Sequence, residues 1–91
     1  MDLMLFSVLD SKVGLYARPF VARNKPEALR SFTQIARDPN HPIGQHPEDY
    51  ILFYIGVFSE QTGKVLSESH EALAKAIDLL QPSQPELMAD A

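Results

Sequence analysis

Between residues 16 and 25 the sequence reads YARPFVARNK, and three of the chain's eight Lys and Arg residues stand there with two aromatic rings. On an extended strand, side chains two residues apart share a face, so Tyr16, Arg18 and Phe20 project together and two rings flank a guanidinium. That combination suits a single-stranded nucleic acid, whose bases stack on aromatic faces at about 1 to 3 kcal/mol each while Arg or Lys neutralises phosphates. Arg23 and Lys25 follow where strand passes into helix, beside the unpaired amides of a helix N-terminus, which favour a phosphate. A plainer reading of the same residues makes Tyr16 and Phe20 ordinary core, with the arginines solvating a sheet edge.

Other chemistry finds little support in the residue spacing. His41, His46 and His70, with Glu48 and Asp49, are of types that ligate metals, but their spacing matches no strong metal motif. The adjacent carboxylates of Glu48 and Asp49 point apart on an extended chain and do not form an acid/base pair. Nucleophile elbow, phosphate loop and dinucleotide fingerprint are all missing, and the four glycines stand singly. The expectation is a protein that is not an enzyme and needs no cofactor or metal.

The elements that must carry the cluster follow from pattern. Residues 3–10, LMLFSVLD, form a short apolar run ending in a turn at Gly14, and residues 15–22 read as a second strand paired to it. Pro19 cannot donate a ladder hydrogen bond, which favours an edge or a bulge. Asn24 and Glu27 have capping-box spacing, so a helix starts there, with Ala28, Leu29, Phe32, Ile35 and Ala36 on its apolar side and Arg30, Gln34 and Arg37 opposite. Residues 39–49 hold too many prolines for regular structure and read as a loop. Residues 50–58, YILFYIGVF, are apolar on both alternating faces; EQTG then turns into a short strand near Lys64 to Leu66. After Ser69 the periodicity predicts a second helix, stopped by Pro82. The order is β-β-α-β-β-α, an α+β fold with a small antiparallel sheet of about four strands and a helix packed on one face. One helix covers one face, so a homo-oligomer, most simply a dimer, is expected through Leu52, Tyr54 and Phe58 unless the second helix covers the other.

Length and composition fit one domain, residues 1–81, with a flexible acidic tail at 82–91 that could compete weakly with nucleic acid for the basic patch. The 91 residues include no cysteine, which suits a reducing compartment, and no apolar run approaches a membrane span or reads as a signal peptide. The net charge of -4 is unevenly spread: residues 1–45 carry six basic and four acidic side chains, residues 46–91 two and eight. That asymmetry is consistent with a polyanion-facing half, although the total repels DNA at long range.

The residues PFVARN with Ala28 and Arg30, then PEDY, Leu52, IGVF and TGK, are collinear from about residue 3 to residue 67 with the small non-structural protein of gokushoviruses. The chain resembles that family of microvirus single-stranded DNA phages. The resemblance implies a protein of the host bacterial cytoplasm that binds single-stranded DNA during genome replication or packaging. The candidate contacts are then Tyr16, Arg18, Phe20, Arg23, Lys25, Arg30 and Arg37. The competing expectation is a regulatory factor that engages a protein partner through an apolar sheet face.

Overall fold

A computed structural model describes residues 2–67 and 70–80. Strand β1 (Asp2–Asp10) runs antiparallel to β4 (Tyr50–Ser59) along its whole length, and these two long strands form the middle of the sheet. Each is flanked by two short pieces. Beside β1 lie β2 (Leu15–Tyr16) and β3 (Phe20–Ala22), and beside β4 lie β5 (Val65–Leu66) and β6 (Glu71–Lys75). Six strands thus fill four lanes of one open antiparallel sheet.

Helix α1 (Lys25–Ala36) begins where its sequence says it should. Asn24 Oδ1 accepts from the Glu27 amide at 2.8 Å, Glu27 Oε1 accepts from the Arg23 amide at 2.9 Å, and Pro26 needs no partner in the first turn. The helix buries Ala28, Phe32 and Ala36, spaced one turn apart, against Phe6, Val8 and Leu52 of the central strands. The small alanines let the backbone approach the sheet while Phe32 fills the gap. Burial of Phe6, Phe32 and Leu52 alone is worth several kcal/mol at about 1.5 to 3 kcal/mol each.

Two segments differ from the sequence-based expectation. Residues 39–49 are not irregular: α2 (Pro42–Gln45) is capped by His41 Nδ1, which accepts from the Ile43 amide at 3.1 Å, and a 3-10 turn follows at Pro47–Asp49. Ile43 plugs the core, and Gly44 packs so closely on the Asp38 carbonyl that any side chain would collide with it. The expected helix after Ser69 is instead β6 followed by a short α3 (Ala76–Leu80), because the outer edge of β4 needs hydrogen-bond partners that outweigh the helix preference of an Ala- and Leu-rich stretch. Helix α3 buries Ala76 in the same core as α1, so both lie on one face of the sheet. The opposite face has no cover among the described residues. The expected tail at 82–91 lies outside them.

Three inserted residues decide which way side chains point. The register of β1 with its edge neighbour slips by one between Tyr16, opposite Leu9, and Phe20, opposite Phe6. A second slip leaves Ile55 extra in β4, and a third leaves Leu73 extra in β6. Each bulge exchanges the two faces for everything beyond it. Ser7, the one polar residue buried among those described, closes the first: its hydroxyl donates to the Ala17 carbonyl at 2.7 Å, while the Ala17 amide donates to Val8 at 2.8 Å.

Candidate nucleic-acid interface

The first bulge separates the two rings expected to flank Arg18. Tyr16 lies on the uncovered face, where it meets Phe53 edge-on at 5.5 Å and His70 at 5.4 Å. Phe20 turns the other way and stacks on Phe6 at 5.7 Å, half-buried beside the core. Tyr16 and Phe20 therefore cannot grip one strand together, and the expected shared face is corrected. Arg18 is exposed within the bulge between them.

The interface expected from Leu52, Tyr54 and Phe58 is divided in the same way. Leu52 is fully buried beneath the helices, and Tyr54, paired with Phe6, faces the same side with its ring 5.7 Å from Phe6. Beyond the Ile55 bulge, Phe58 pairs with Leu3 on the uncovered face. Leu52 and Tyr54 belong to the fold of the protomer and are not free for a partner.

The cations fall into two groups. Arg23 Nε and Nη2 donate to Glu27 Oε2 at 3.1 and 2.9 Å, closing a clamp over the first turn of α1. Arg23 bonding, with the charge of Arg30 adding a smaller part, holds the Glu27 carboxyl below its usual value. Lys25 Nζ donates to Glu71 Oε1 at 2.9 Å and stands 5.1 Å from the Tyr54 ring centre. Arg18, Arg30 and Arg37 are exposed and form no ion pair among the described residues.

What the strand reading missed is the spacing of the arginines along the helix. Arg23, Arg30 and Arg37 recur every seven residues, Arg23 just before the cap and Arg37 at the C-cap. Within the helix, seven residues make almost two turns, so Arg30 and Arg37 lie about 10.5 Å apart along the axis and about 20° apart around it; Arg23 precedes the extended N-cap, and its guanidinium sits on Glu27, about one turn before Arg30. Arg30 and Arg37 fall on the side of α1 opposite Ala28, Phe32 and Ala36, and Arg23 is exposed at its start. The signal was present in the sequence as a heptad spacing of basic residues.

His46, Glu48 and Asp49 bring donor atoms within 4.8 Å of one another at the 3-10 turn. His46 and Glu48 are exposed, and turns gather such groups without binding ions. Nearby, partial burial and then the Asp10 carboxylate, with Asp49 behind it, raise the Tyr50 hydroxyl above its usual range, so it stays neutral at pH 7.

Comparison with known proteins supplies the family. A family model described as phage ORF5 protein matches residues 3–79, most of the chain and beyond the stretch ending near residue 67 that the motifs marked. The chain belongs to the phage ORF5 protein family. No curated protein and no solved structure matches it. It is therefore a phage protein, and β6 with most of α3 lies within its family-wide part.

Proposed function

We propose that this phage protein is a gokushovirus non-structural protein that binds single-stranded DNA through the outer face of α1. It acts during genome replication or packaging in the host bacterial cytoplasm. The observation that carries the reading is the pair Arg30 and Arg37, exposed, without ion pairs among the described residues and about 10.5 Å apart along the outer side of α1, with the Arg23–Glu27 clamp at the start of the helix. At about 3.4 Å per stacked nucleotide, that interval spans about three nucleotides, so Arg30 and Arg37 meet the backbone of one strand three phosphates apart. Arg18, exposed in the first bulge, adds a cation at the sheet edge, whereas Lys25 is turned toward the sheet and paired with Glu71. The arginines form bidentate contacts with phosphate oxygens, which position a strand without reading its sequence.

The overall charge of -4 weakens long-range attraction, so binding rests on this local row and is strongly salt-dependent. With Arg23 held by Glu27, the two phosphate contacts of Arg30 and Arg37 on a single strand give a slope of about -1.4 in log affinity against log salt. Raising salt from about 50 to about 200 mM then lowers affinity about sevenfold. Fluorescence anisotropy with a labelled oligothymidylate measures this directly. Absent binding at the lower salt, or binding that ignores salt, overturns the proposal; Arg30→Ala and Arg37→Ala each flatten the slope by about 0.7 if it holds.

A further inference from the structure

The sheet face opposite α1 is apolar across all four lanes. Leu5 of β1, Phe53 of β4, and Val21 and Val65 of the flanking strands share it by register, and the bulged Ile55 lines the same hollow as Leu5 and Val65. Val21 is 48% exposed and Val65 59%. Near its middle the Tyr16, Phe53 and His70 rings meet edge to face, 5.0 to 5.5 Å apart. Phe53 pairs across β1 with Ser7, and that small residue leaves room for the Tyr16 ring to lean over the strand toward it. Among the residues the ladder places on this face, only Lys75 carries a full charge. A polyanion finds one cation there, at the margin.

The size of the face says what can cover it. Four lanes at about 4.8 Å and a ten-residue strand at about 3.3 Å per residue give a footprint of about 600 Å². That is the upper end of the apolar patches that monomers leave bare. Two such faces pressed together remove about 1,200 Å² from water, where stable specific interfaces begin. A central aromatic cluster ringed by aliphatic side chains is also the arrangement that concentrates binding energy in such interfaces.

We propose that a second copy of this chain docks on this face, sheet against sheet about a two-fold axis, with the two strand directions within about 30° of each other. In that dimer α1 lies on the outside of each half, so the two arginine rows face opposite directions and remain open. The proposal does not depend on DNA binding, since the dimer is measured with protein alone.

The test is multi-angle light scattering across micromolar concentrations for the full chain and for Val21→Glu and Val65→Glu. Both sites are about half-exposed in the protomer, so a carboxylate there leaves the fold intact, which circular dichroism and a cooperative thermal transition verify. The expected result is a particle of twice 10.2 kDa for the parent chain. In at least one variant the dimer dissociation constant rises by more than about a hundredfold, because burying an unpaired charge on each side of a two-fold interface is costly. A parent chain that stays monomeric leaves the face to some other occupant and overturns the proposal. So does a dimer that both folded variants retain.

Discussion

Replacing Glu27 by Gln separates the two tasks that this side chain performs. One oxygen accepts from the Arg23 amide and completes the cap of α1; the other holds the Arg23 guanidinium at 2.9 Å. Glutamine keeps an acceptor for the cap, as capping boxes allow, and discards the charge. The ion pair is exposed and the helix-end charge is screened by solvent, so the unfolding midpoint changes little. Binding changes more, because Arg23 is released to meet a phosphate. One further contact with a salt exponent of about 0.7 tightens single-stranded DNA binding about eightfold at about 50 mM salt and about threefold at about 200 mM. Anisotropy titrations of Glu27→Gln and the parent chain at both salts read the effect, with circular dichroism to verify the helix. If the variant is folded and binds no more tightly at low salt, Arg23 is not part of the DNA surface and the row reduces to Arg30 and Arg37.

Three further outcomes follow from the geometry. Gly56→Ala destabilises the protein by about 1 to 3 kcal/mol, since a Cβ there collides with the Leu66 carbonyl and must push β5 away; an unchanged urea midpoint contradicts this. Ser7→Ala removes the bond that closes the first bulge, at a cost of about 1 kcal/mol, and speeds hydrogen exchange at the Ala17 amide; unaltered exchange refutes the role. Glu27 is depressed below its ordinary 4.5, so its contribution to stability is complete above that pH and is lost as pH falls through the lower folded value. Acid titration of Glu27→Gln therefore shows a shallower loss of stability below pH 4.5 than the parent chain, and superimposable curves contradict the assignment.

The parts of the fold that are legible in the sequence are those fixed locally. Asn24, Pro26 and Glu27 announce the start of α1, Gly14 and Gly63 mark turns that adopt positive φ, and the 50–58 run is a strand. What misleads is parity. Period-two reasoning puts Tyr16 with Phe20, and Leu52 with Phe58, yet one inserted residue between the members of each pair sends them to opposite faces. Both bulges leave a trace in the sequence, Pro19 in one strand and Gly56 in the other, because each residue weakens regular pairing. The Pro19 signal allows a bulge; the placement of Tyr16 and Phe20 on one face ignores it. Strand β6 is not legible in the same way. HEALAKA favours a helix by composition, and only the unpaired edge of β4 turns Glu71 to Lys75 into a strand.

The pairing of β1 with β4 has a consequence for how the chain is made. Roughly forty residues separate the two strands, so the long central ladder closes a large loop and forms late compared with α1, whose cap and hydrogen bonds are local. During synthesis at about 5 to 20 residues per second, β1 waits on the order of 2 to 10 seconds before Ser59 has been added. Throughout that time the apolar stretch from Leu3 to Leu9 has only the short β2 and β3 to pair with. During that interval it is the segment most exposed to capture by a chaperone or by a neighbouring nascent chain.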